Sequence, residues 1–246
     1  MAELEFLLLQ IRDAEDPIRM QEIGCFAKAI GCEETAISTL DLLTEQVAEA
    51  RLKNFDAVLI GGSGNYSAAG DSQWLQRVLA DLRLLCDLKK PTFASCWGFQ
   101  AIARALGGRC IHDPKNAELG TIEMCRTEAA KTDPLFGMLD ETFLALAGHE
   151  DHVIELPSDA ELLASSATVQ NQAFKLPGTL IYCTQFHPEL ELAAFLQRVA
   201  AYPRYVESIA GMTVQAFAEH CQDTPPARRL LSKFAELVGE HQSLGN

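Results

Sequence analysis

Basic side chains are scarce in this chain of 246 residues: 20 Lys and Arg stand against 34 Asp and Glu, a formal charge of −14. That deficit argues against binding to nucleic acid or an anionic membrane, both of which call for basic patches. No apolar run approaches the ~18 residues of a membrane helix. The opening stretch Met1–Ile11 is apolar, but Glu3 and Glu5 stand where a secretory leader has its basic start. None of the eight cysteines (25, 32, 86, 96, 110, 125, 183 and 221) belongs to a C-x-x-C pair, so a zinc or redox centre has no support. Repeats, low-complexity tracts and linkers are missing too. These absences imply a cytoplasmic protein with reduced thiols, forming one domain over residues 1–246. Apolar residues make up 48% of the chain, enough for a sizeable core.

The first half alternates strands and helices. Leu4–Ile11, Thr35–Leu40, Phe55–Ile60 and Pro91–Ser95 are apolar runs of strand length. Ile18–Ile30, Thr44–Leu52 and Gln73–Leu85 carry helical patterns, with Gly31 stopping the first. Such alternation implies right-handed βαβ units and a parallel sheet, with sites at the carboxyl ends of its strands. After residue 108 the texture changes to short β-rich segments: Glu118–Arg126, Thr142–Ala147, Glu161–Ser166, Gln172–Leu176 and Thr179–Thr184. Pro177-Gly178 marks a hairpin between the last two. The expectation is an α/β three-layer sandwich with a mixed, mostly parallel central sheet. Three helices, Glu191–Tyr202, Val206–His220 and Pro226–Glu240, close the chain.

Pro91–Gly108, PTFASCWGFQAIARALGG, is the stretch around which the rest is organised. A buried strand runs into a sharp turn at Cys96, and a helix follows from about Gly98 to Leu106. Unpaired N–H groups and the helix dipole favour a thiolate at such a turn. The backbone N–H of Trp97 is placed to stabilise an oxyanion, and Gln100 lies one turn on with its amide available to a polar substrate. This is the layout of a nucleophile elbow with sulfur in place of oxygen. Taken alone, a cysteine here is more often a small buried hydrophobe.

A second stretch, Tyr182–Leu190, YCTQFHPEL, changes that balance. In an extended segment His187 and Glu189 point the same way, as a base and its orienter would. The two stretches together resemble the class I glutamine amidotransferases: the elbow as Cys96-Trp97-Gly98-Phe99-Gln100, the closing motif as His187-Pro188-Glu189. Ala147–Pro157, AGHEDHVIELP, resembles the same family's loop over the bound glutamine, with His149, Asp151 and Val153 in register. His149 and His152 flank two acids, but without the H-E-x-x-H spacing or a third ligand no metal is expected. Two positions depart from the family pattern: Ala94 replaces a glycine before the nucleophile, and Ser63 replaces a proline after the Gly61-Gly62 turn.

The resemblance covers roughly residues 4–195 and implies a flavodoxin-like core, with 196–246 as a helical extension. It implies a Cys96, His187, Glu189 triad and an oxyanion hole from the N–H groups of Gly62 and Trp97. It also implies substrate contacts from Gly61, Gln100, Glu150 and Asp151, and no cofactor. The implied reaction is hydrolysis of the glutamine side-chain amide through a cysteinyl thioester. In the first reading the chain is a free-standing, GMP-synthase-like amidotransferase domain delivering ammonia to a separate synthetase partner. In the second it is a stand-alone hydrolase of γ-glutamyl peptides or amines. A third is a non-enzymatic relative. The extension is read as packing on the domain, forming a homodimer surface or covering the site.

Overall fold

The computed structural model describes residues 4–245; Glu3, cited above for the opening stretch, lies outside them. The chain runs β1 (Phe6–Gln10), α1 (Ile18–Ile30), β2 (Ile37–Asp41), α2 (Glu49–Leu52), β3 (Ala57–Ile60), α3 (Gln73–Asp87), β4 (Thr92–Ser95) and α4 (Trp97–Ala105). Then follow β5 (Arg109–His112), β6 (Glu118–Arg126), β7 (Thr142–His149), β8 (Asp151–Glu155), β9 (Glu161–Ser166), β10 (Ala173–Leu176) and β11 (Ile181–Thr184). Four helices close it: α5 (Leu192–Ala201), α6 (Pro203–Ala210), α7 (Val214–Ala218) and α8 (Pro225–Gly245).

Nine strands form one sheet in the order β2-β1-β3-β4-β11-β10-β9-β6-β7. The first five are parallel, and from β10 onward every pairing is antiparallel. The fold is therefore an α/β sandwich on a mixed, mostly parallel sheet. Alternation along the central strands divides the core. Phe6, Leu8, Leu59, Phe93 and Tyr182 face one layer with Phe26 of α1 and Phe234 of α8. Leu7, Leu9, Val58, Ile60, Ala94 and Cys183 face the other, with Val78 of α3 and Ile102 of α4. This is the period-2 geometry of strands buried on both faces.

Several expected elements are adjusted. The helix expected over Thr44–Leu52 is one turn, Glu49–Leu52, because the side chains of Asp41 and Glu45 and the backbone around them form a turn first. The helix expected over Val206–His220 is two, α6 and α7, separated at Gly211, whose φ of 64° is left-handed. Strands β5 and β8 pair with each other as a separate ribbon. Charged residues and short length hide both from a reading of apolar pattern. The hairpin at Pro177-Gly178 is present, with Gly178 at φ 73°.

The closing helices do two different jobs. α8 buries Ala227, Leu230, Leu231, Phe234 and Val238 in the main core beside β1 and β4. By contrast, Leu190, Phe195, Val199, Val206 and Phe217 gather with Leu146 of β7 into a third cluster at the antiparallel end. The segment after residue 195 is thus part of the packed body rather than an appendage to it.

Candidate active site

The sheet order brings three strand ends side by side. β4 lies between β3 and β11, all parallel, so their carboxyl ends share one edge of the molecule. The Gly61-Gly62 turn leaves β3, Cys96 leaves β4 and His187 leaves β11 at that edge. Cys96 has φ 52° and ψ −103°, an unusual conformation for a residue with a side chain. Its backbone N–H donates to Thr184 O at 2.7 Å, tying the turn to β11. On the other side Gly98 N–H donates to Gly61 O at 3.2 Å. A Cβ on Gly98 would stand 2.8 Å from Ile60 Cβ and 3.0 Å from Ile60 O, so only glycine lets α4 begin this close to β3.

Cys96 is 8% exposed and sits where two cavities meet. It points at Gly148 O, 3.8 Å away, and receives a long contact from Gln185 Nε2 at 3.9 Å. His187 is held over it by a bond from its backbone N–H to Leu146 O of β7, 2.8 Å. Its Nδ1–H donates to Glu189 Oε1 at 2.7 Å, and the same oxygen accepts from Arg198 Nη1 at 3.2 Å. Burial alone lowers the His187 pKa. The Glu189 charge, then the Cys96 charge and hydrogen bond, outweigh it and push it up to about 9. Burial likewise opposes ionisation of Glu189, yet the His187 charge and hydrogen bond and the Arg198 charge bring it down to about 2. The edge of the sheet therefore carries a cysteine beside an imidazole whose protonated form is favoured by a buried carboxylate.

Gly62 lies against this pair: a Cβ there would stand 3.0 Å from His187 Cε1 and 3.6 Å from Cys96 Cβ. Trp97 opens α4, and an N–H in the first turn has no acceptor within its own helix. Both expected oxyanion donors are thus beside the thiol. Gly61 is not: it lines neither cavity, and its missing side chain makes room for the Glu22 carboxylate. Glu22 is fully buried, bound by Gln10 Nε2 at 3.0 Å and by Arg12 Nη2 at 3.3 Å. Gly61 has a packing role against Glu22.

Gln100 lines the second cavity. Its Nε2 is committed within the protein, to Asp151 O at 2.7 Å and Gln185 Oε1 at 3.1 Å, and so fixes the Asp151 loop. Glu150 and Asp151 do line the second cavity with Ser67 and His112. Asp151 Oδ1 lies 2.8 Å from His112 Nδ1, and Ser67 Oγ donates to its other oxygen. His149, which flanks these acids in sequence, also lines the second cavity, and its Nε2 pairs with buried Glu118 at 3.1 Å. No group of side chains suited to a metal occurs among the described residues.

Four contributors carried no motif: Gln185, Arg198, Tyr202 and Tyr205. Gln185 sits one residue before Phe186-His187 and could have been found from that position alone. The other three come from α5, the turn after it and α6. Tyr202 Oη donates to Asp16 at 2.9 Å, and Tyr205 lines both cavities.

The family model for glutamine amidotransferase class-I matches residues 24–200. The chain is 30% identical over 249 residues to gamma-glutamyl peptidase 4 of Arabidopsis thaliana, covering 97% of this chain and 95% of that protein. It is 33% identical over 140 residues to a glutamine-hydrolyzing GMP synthase subunit of Saccharolobus solfataricus, covering 57% of this chain and 70% of that one. A glutamine amidotransferase from Thermotoga maritima has the same fold, with a TM-score of 0.76 at 19% identity over 96% of this chain and 98% of that one.

Proposed function

Because the chain belongs to the class I glutamine amidotransferases, a family of amidohydrolases, we propose that it hydrolyses a γ-glutamyl amide through a thioester on Cys96. The observation that carries this reading is the position of Cys96 at a strained turn, with His187 and the Gly62 and Trp97 backbones around it. His187 takes the Cys96 thiol proton as the sulfur attacks the amide carbon, and the oxyanion is held by the two N–H groups, worth ~3–4 kcal/mol each in comparable sites. The imidazolium of His187 gives its proton to the nitrogen as the C–N bond breaks. An amine leaves, or ammonia if the substrate is glutamine. Water then attacks the thioester, His187 takes its proton, the C–S bond breaks and glutamate is released. Glu189 keeps the imidazole oriented and charged, and Arg198 holds Glu189.

In the first form of this reading glutamine is the substrate and ammonia passes to a separate synthetase. The similarity to a GMP synthase subunit supports it. In the second the chain acts alone on γ-glutamyl peptides or amines. Its support is the full-length similarity to a gamma-glutamyl peptidase, which extends over the helices that line the site. Glutamate release from glutamine and from a γ-glutamyl dipeptide, with Cys96→Ala as control, tests both forms. Hydrolysis that persists in Cys96→Ala overturns the thioester route.

A further inference from the structure

The two cavities that meet at Cys96 differ in chemistry. One is polar, bounded by Glu150, Asp151, Gln100, Ser67 and His112. The other, about 120 Å³, is bounded by Leu119, Leu190, Phe195, Val199, Tyr202 and Tyr205. The guanidinium charges that reach its edge face carboxylates: Arg12 pairs with Asp16 and Glu22, and Arg198 Nη1 with Glu189, while Arg198 Nη2 has no hydrogen-bond partner. His187 lines the apolar cavity and not the polar one.

That last placement orients the substrate. The scissile carbon lies at Cys96, where the cavities join. The nitrogen must face the group that protonates it, so it points with His187 into the apolar cavity. The α-amino and α-carboxylate groups of the glutamyl part are then left to the polar one. We infer that the pocket walled by α5 and α6 is a leaving-group subsite for an uncharged apolar amine, of branched-alkyl to phenyl size. A cavity of this volume is close to the ~150 Å³ of an apolar cavity that takes benzene. A charged substituent would lose its hydration there and meet arginines whose charge a carboxylate already balances. The inference rests on the hydrolase reading and names the class of substrate for it.

The test compares γ-glutamyl methylamide, isobutylamide and the carboxyethylamide, which matches the isobutyl group in size but carries a charge. Hydroxylamine is added in parallel; it attacks the thioester carbonyl, expels the Cys96 thiol and leaves γ-glutamyl hydroxamate. One methylene in an apolar pocket changes kcat/KM by roughly 10–200-fold. The isobutylamide should exceed the methylamide by at least about tenfold, and the carboxyethylamide should be the poorest of the three. Val199→Phe should lower the isobutyl-to-methyl ratio about tenfold. Val199→Ala, which keeps the fold if the larger residue does not, should shift the preference towards a benzylamide. Hydroxamate formed at equal rates from all three amides overturns the subsite and leaves the hydrolase reading standing. Hydroxamate from none of them overturns the hydrolase reading and the subsite with it.

Discussion

His187 Nδ1 and Glu189 Oε1 are 2.7 Å apart across a single intervening residue, and Arg198 reaches the same carboxylate oxygen from α5 at 3.2 Å. Local sequence supplies the first contact and the tertiary fold the second. Glu189→Gln keeps the shape but removes the charge that holds the imidazolium. Turnover should fall by roughly 10⁴-fold, as it does when the orienting carboxylate of a triad is lost. Cys96→Ala should fall further. Equal kcat/KM for the two variants in a glutamate-release assay would contradict the supporting role given to Glu189.

The same pair sets a pH dependence of stability. The His187 pKa is raised from 6.5 to about 9 on folding, so its contribution is complete below pH 6.5 and is lost as pH rises through 9. The Glu189 pKa is lowered from 4.5 to about 2, so its contribution is present above pH 4.5 and is lost as pH falls through 2. The stability gap between wild type and Glu189→Gln should be widest between these windows, at about pH 5–6. It should narrow by about pH 9.5, where the Arg198 contact alone remains. Urea midpoints at the two pH values decide it; an unchanged gap would show that His187 is not held as the cation.

Alanine should have opposite effects at two glycines. At Gly61 the new Cβ would stand 2.7 Å from Glu22 Cδ and closer still to Oε1, forcing the carboxylate off Arg12. Breaking a buried ion pair costs ~3–5 kcal/mol, so Tm should drop by roughly 5–15 °C. At Gly239, inside α8, nothing lies within 4 Å of the added atom. Gly239→Ala should raise Tm by about 1–4 °C, through helix propensity and a less flexible unfolded chain. Thermal melts of both variants give the comparison, and a stable Gly61→Ala protein would refute the packing role of Gly61.

Phe234 of α8 is fully buried, edge-on to Phe93 of β4 at 5.5 Å between ring centroids. Phe234→Ala should cost ~3–5 kcal/mol by the cavity it leaves, lowering Tm by roughly 10 °C. A loss under about 1 kcal/mol in denaturant titration would mean that α8 is a detachable extension after all.

Much of this protein was legible in order along the chain. The bounds expected for Ile18–Ile30, Glu118–Arg126 and Glu161–Ser166 are the bounds observed, because each carries its own apolar period and stop. β5 and β8 were not legible. Both are short and carry charged side chains, and the two exist only through pairing between distant positions, such as His112 and Asp151. Gln100 lines the polar cavity with its amide nitrogen bound within the protein, and Gly61 makes room for Glu22. Whether an amide is free, or a missing Cβ makes room for a ligand or for Glu22, depends on residues distant in sequence.

By itself the sequence determined the local chemistry: a cysteine at a strand-to-helix turn, a histidine and a glutamate two residues apart, a glycine pair ending a strand. Each of these is set by backbone geometry over a few residues, and a short motif records it. Tertiary structure alone decided that β3, β4 and β11 are neighbours, so that Gly62, Cys96 and His187 converge. It also decided that Arg198 neutralises Glu189, and that α5 and α6 wall one side of the thiol with Val199 and Tyr205. Those contacts join separate elements through side-chain packing and charge pairing. Neither leaves a periodic trace in the chain.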